Sequence, residues 1–303
     1  MGGPITLTDH RSLAAFLVAA AAIAVFAGMD AVMKGQSLLI GAFSALFWRT
    51  VFATTLSGAG FAGVRGRLPS GAMLRLHAAR AACAGLSVLL FFWGLTRVPM
   101  AQGVALTFVA PLIAIFLAGA TLGERIGRRT IIASAIAFVG VLVILAGQAR
   151  AEMGPEALHG AIAILGAAIL YAGNLVLLRR QAQGAGPIEI AFFTNAVMLL
   201  LYGAATPWLL AWPTTAVQWG WIAFAAVLSL LSILGLAWAY ARAPASYLAP
   251  VEYTAFVWAA ILGWLVFGES VAPLTILGAG FIVGGCVLAA RRPPVAPPLE
   301  AAT

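Results

Sequence analysis

The chain is 303 residues long; 63% of them are apolar, only 9% are charged, and the mean hydropathy is +1.04. A water-soluble domain holds roughly 45–50% apolar and about 25% charged residues, so this composition excludes water as the main solvent and points to lipid. The net charge of +8 is spread singly or in short clusters between apolar runs, which excludes the contiguous basic patch of a nucleic-acid-binding protein.

Inside hydrocarbon, backbone groups must be satisfied within a helix or a closed barrel. The apolar runs are continuous and do not alternate with period two, so the expected fold class is all-α, a polytopic membrane protein. Taken in chain order, runs near 20 residues predict ten spans, at 13–33, 38–62, 72–96, 99–122, 129–147, 157–178, 187–211, 216–241, 245–267 and 272–290. Pro99, Pro187, Pro213, Pro244 and Pro273 stand near the starts of spans, where a missing N–H costs little. Residues 293–303, rich in Pro and Ala, are expected to form a disordered cytoplasmic tail.

With the N-terminus inside, twelve basic residues fall on the cytoplasmic side, from Arg11 to Arg292, against Lys34, Arg97 and Arg150 outside. That asymmetry predicts both termini in the cytoplasm of a bacterial inner membrane. Arg11 before an Ala-rich stretch imitates a secretory signal, but a repeat makes the first span part of the fold. Shifting the sequence by 145 residues places Arg97 on Arg242, Pro99 on Pro244, Gly123-Glu124 on Gly268-Glu269, Thr130-Ile131 on Thr275-Ile276 and Gly140 on Gly285. Phe26-Ala27-Gly28 likewise falls on Tyr171-Ala172-Gly173, and Phe47 on Phe192. Each copy holds five spans, an odd number, so equivalent helices run in opposite directions. The expected units are residues 1–148 and 149–292. Such an inverted-topology repeat suits alternating access around a site near the midplane.

The stretch from Arg97-Val98-Pro99 to Gly123-Glu124, and its second copy from Arg242-Ala243-Pro244 to Gly268-Glu269, resemble the EamA domain of the drug/metabolite transporter superfamily. The resemblance covers nearly the whole chain. It implies a ten-helix bundle around a central cavity that exports amino acids, drugs or other metabolites. Within the superfamily the chain is most similar to YddG-type exporters of aromatic and neutral amino acids.

Polar residues inside a membrane are costly and mark candidate sites. Glu252 lies seven residues into span nine, about 10 Å deep, and replaces Thr107 of the first copy, so a carboxylate suited to proton exchange enters on one side of the repeat only. Arg49, the central cation of span two, suits a substrate carboxylate or a structural partner; its counterpart is Thr194, beside Asn195. Gln102 and Asn174 complete the polar candidates. Trp48, Trp93, Tyr171, Tyr240 and Trp258 are candidate lining for a ring-bearing solute, although packing alone accommodates an aromatic content of 10%. Pro111 and Pro250, inside spans four and nine, are candidate hinges.

Asp30 and Lys34, four residues apart, read as an interfacial ion pair. His77, Arg80 and His159 read as side chains reaching for headgroups, and Trp208, Trp212, Trp219 and Trp221 as an interfacial belt.

Cys83 and Cys286 have no Cys or His at ligand spacing, so neither a metal nor a disulfide is expected. No phosphate-binding Gly-rich loop occurs, no cofactor is expected, and three scattered His make no catalytic set. The expectation is therefore a carrier and not an enzyme: a monomer in the lipid bilayer whose partner is a small-molecule substrate. It would export aromatic or neutral amino acids, or alternatively hydrophobic drugs or other metabolites.

Overall fold

The computed structural model describes residues 7–63, 69–122, 128–150, 154–181, 184–242, 248 and 251–290. Among the described residues the secondary structure is helical, with no strand: α1 (Leu7–Ile40), α2 (Ala42–Gly63), α3 (Gly71–Leu95), α4 (Met100–Thr107), α5 (Ala110–Leu122), α6 (Arg128–Arg150), α7 (Gly154–Gln181), α8 (Pro187–Gly203), α9 (Thr206–Leu209), α10 (Ala216–Tyr240), α11 (Thr254–Phe267) and α12 (Pro273–Ala290). Five stretches are long and apolar enough to cross a membrane: Leu13–Ile40, Gly71–Leu95, Met100–Thr121, Pro155–Leu178 and Ala216–Tyr240. Four shorter apolar helices and α2 complete the ten expected positions. The chain is a polytopic all-α membrane protein.

The helix ends follow local chemistry. Ser70 caps α3 by accepting the Met73 N–H at 3.3 Å, and Thr215 and Gln218 form a reciprocal capping box at the start of α10. α1 runs seven residues beyond the expected end of span one, because Gln36 and Ser37, which read as a loop, are buried and remain helical. The corner comes instead at Gly41, whose φ of +81° few other residues tolerate. The tail, Pro244 and Pro250 lie outside the described residues.

Helices pair across the two copies. α1 packs on α10, α3 on α7, α2 on α8, α4 on α11 and α6 on α12. Exchanging the copies turns the first of these pairs into the second and the α2–α8 and α6–α12 pairs into themselves, which is the pattern of a pseudo-two-fold axis. The register obeys the 145-residue offset atom by atom. A Cβ added to Gly140 would lie 2.5 Å from the Gly278 carbonyl, and one added to its counterpart Gly285 would lie 2.6 Å from the Ala133 carbonyl, Ala133 being the counterpart of Gly278. In lipid, where helices gain little from hydrophobic burial against one another, such close contact supplies the packing. Leu200, Trp264, Leu265 and Val217, all more than 60% exposed, face outward as lipid-facing residues should.

Candidate functional site

Polar side chains gather at three levels of the bundle. At one end, Gly268 closes α11 with φ +65°, and its N–H donates to the Trp264 carbonyl at 3.0 Å while Glu269 N–H donates to Gly263 O at 3.0 Å. This turn folds the Glu269 carboxylate back over α11, where Oε1 accepts from Lys34 Nζ and Oε2 accepts the Met100 N–H at 2.7 Å. Lys34 also donates to Val98 O at 2.9 Å and stands over the Phe267 ring. A Cβ at Gly263 would come within 2.8 Å of Glu269 Oε2, so the bare backbone there makes room for the carboxylate. The helix-surface pair expected between Asp30 and Lys34 is replaced. Both are buried, Lys34 is taken by Glu269 from the other copy, and Asp30 lies within electrostatic reach of Arg49.

At the middle level, α4 stops at Thr107 and α5 starts at Ala110, while the equivalent point of the second copy is a turn at Tyr253 before α11. Phe108 and Tyr253 are counterparts under the offset, and their rings meet edge to face at 5.4 Å. Both interruptions therefore sit on the pseudo-two-fold axis. Pro111 occupies the first turn of α5, directly after the interruption, where its missing N–H leaves the Thr107 carbonyl without an i+4 donor. Beside the break Glu252 accepts the Tyr240 hydroxyl hydrogen bond and lies within electrostatic reach of Tyr171. Tyr171 is 45% exposed. Arg49 donates to Met29 Sδ at 3.4 Å and has Asp30 and Tyr202 as electrostatic neighbours.

At the opposite end from Lys34, Arg80 donates to Asn174 Oδ1 at 3.0 Å and to Thr194 Oγ1. His77 contacts Glu189 at 3.0 Å and Gln181. His77 and Arg80, read in the sequence as headgroup-seeking, are 1% and 6% exposed; polar partners on α7 and α8 hold them inside. No periodicity of apolar residues could have indicated those partners.

The remaining candidates are dispersed. Trp48 donates to Ala211 O at 3.1 Å and packs against Trp212 and Trp219, with centroids 4.5 and 4.7 Å away, in one aromatic cluster by the α9–α10 connection. Trp93 lies under the Arg97 guanidinium at 3.5 Å, and the counterpart pair Trp238–Arg242 repeats this at 4.0 Å. Gln102 is buried, with no partner for Nε2. Thr107, the last residue of α4, donates to Val104 O at 2.7 Å. Asn195 donates to Ala191 O at 3.0 Å, and Trp258 is 37% exposed. Among the described residues no group of three or more His, Cys, Asp or Glu could hold a metal ion.

The doubled architecture has a counterpart among known proteins. A model of the EamA-like transporter family matches the chain twice, at residues 13–146 and 158–291. The chain belongs to the EamA-like transporter family. Relatives of this transporter include the pseudopaline exporter CntI of Pseudomonas aeruginosa, 28% identical over 91% of this chain and 95% of that one. A riboflavin transporter of Vibrio cholerae is 30% identical over 68% of each chain. An S-adenosylmethionine uptake transporter of Rickettsia prowazekii is 26% identical over 65% of this chain and 67% of its own. A crystal structure with a TM-score of 0.61 covers 92% of this EamA-like transporter and 99% of its own chain; at 19% identity it bears on the fold alone. Membership makes the protein a multi-pass membrane transporter of small molecules.

Proposed function

We propose that this transporter exports a small amino acid, neutral overall and bearing a ring, by alternating access around Glu252, Tyr240 and Tyr171. The observation that carries this reading is a carboxylate that accepts a hydrogen bond from one phenol and lies within electrostatic reach of a second, beside helix interruptions in α4–α5 and before α11. Interrupted helices at the junction of two inverted copies are where carriers place their substrates. Glu252 suits a substrate ammonium group, and the phenol rings suit an apolar or aromatic side chain.

Counterflow in proteoliposomes tests this directly: preloaded L-phenylalanine should drive saturable uptake of labelled L-phenylalanine. Absence of counterflow with every neutral amino acid would sink the reading. A second reading, export of a larger solute, is favoured by the match to the pseudopaline exporter over nearly the full length of both chains. Competition by pseudopaline, with none by amino acids, would select it.

A further inference from the structure

The 145-residue offset reveals a relation between the two buried arginines. Asn174 and Thr194, the partners of Arg80, have Met29 and Arg49 as counterparts, and Arg49 donates to Met29 Sδ. Arg80 itself has Ala225 as its counterpart. Each half of the bundle therefore places one guanidinium in the same setting: α3, α7 and α8 enclose it in one half, and α10, α1 and α2 in the other. One helix supplies the arginine in the first setting and a different helix in the second, so the positive charge recurs although the residue does not.

The settings differ in counter-charge. Arg49 has Asp30 in electrostatic reach. The counterpart of Asp30 is Leu175, and Arg80 has only the neutral oxygens of Asn174 and Thr194. The Thr194 hydroxyl already donates to Ile190 O, so it offers Arg80 a lone pair and no more. Glu189, one turn before Thr194, is engaged by His77. Among the described residues no carboxylate lies within ion-pair distance of Arg80, and its buried Nε has no hydrogen-bond partner. A guanidinium kept from water with no anion nearby is heavily penalised, and its fork of N–H donors matches a carboxylate.

We propose that Arg80, with Asn174 and Thr194, is a binding site for a compact monoanionic group, a carboxylate above all, in the membrane half that the charge count assigns to the cytoplasm. Asn174 stands three residues from Tyr171 on the same face of α7, and Tyr171 lies within electrostatic reach of Glu252. The proposal rests on the transport reading only for the source of the anion, since inorganic chloride satisfies the same chemistry.

The test is thermal unfolding of the purified full chain in detergent, titrated with L-phenylalanine, L-phenylalaninamide, sodium acetate and sodium chloride. Acetate and L-phenylalanine should raise Tm saturably, and the amide should not. Arg80→Gln should abolish the anion dependence. Because that variant could fail to fold, Asn174→Asp provides the second measurement: a built-in carboxylate should raise the anion-free Tm and weaken apparent anion affinity by about tenfold or more. Equal stabilisation by the amide, undiminished anion affinity in Asn174→Asp, or no anion effect at all would overturn the site. Chloride acting as strongly as acetate upholds the site with an inorganic occupant. Carboxylate-dependent stabilisation without counterflow of any amino acid would remove the transport reading and leave the anion site standing.

Discussion

Lys34 and Glu269 form a cross-copy ion pair that also satisfies Val98 O and Met100 N–H. Removing one partner leaves the other charge buried alone, so Lys34→Met should cost about 3 kcal/mol and lower Tm in detergent. The double variant Lys34→Met/Glu269→Leu should recover part of that loss, and a double-mutant cycle measures the coupling. Gly263→Ala should produce a milder version of the same defect, because its methyl group displaces the Glu269 carboxylate. Glu252 belongs to a different chemistry. If it exchanges a proton with substrate, Glu252→Gln should keep counterflow but lose the pH dependence of net export, whereas an unchanged pH profile would leave Glu252 a binding group only.

At the scale of elements, α6 and α12 cross where backbone meets backbone. Gly140→Val should destabilise by about 1–3 kcal/mol, since the obstacle to the new side chain is the Gly278 carbonyl and not a flexible side chain. The interrupted elements work differently. Phe108 and Tyr253 hold the two breaks together on the axis through ring contact. Tyr253→Ala should therefore lower transport rate more than it lowers Tm, which paired counterflow and unfolding measurements would reveal. Spans four and nine were expected to bend at Pro111 and Pro250. The interruption of span four falls at Phe108 and Val109, in the turn ahead of Pro111, which has no N–H to donate to the Thr107 carbonyl. Pro250 lies outside the described residues.

At the scale of the molecule, the basic-residue count makes a prediction about sidedness. Single cysteines at Arg75 and Arg242 should react with an impermeant thiol reagent from the cytoplasmic side only, and one at His159 from the outside only. Replacing native Cys83 and Cys286 first removes background labelling. Labelling of positions 75 and 242 from different sides would break the inverted relation between the copies.

Composition, apolar run length and the 145-residue repeat determined the solvent, the helical class and the doubling, because each rests on the local rule that hydrocarbon tolerates only satisfied backbone. Even the meeting of Phe108 with Tyr253 was implicit in the offset once the two copies were known to pack about an axis. Which charges find each other was decided only by the tertiary structure. Lys34 bypasses Asp30 for a residue 235 positions away, Arg80 turns inward to Asn174 and Thr194, and Trp48 leaves the middle of the bundle for the cluster with Trp212 and Trp219. Ion pairs and hydrogen bonds act over a few ångströms between helices that sequence spacing does not bring together, so their partners exist only after the bundle has packed.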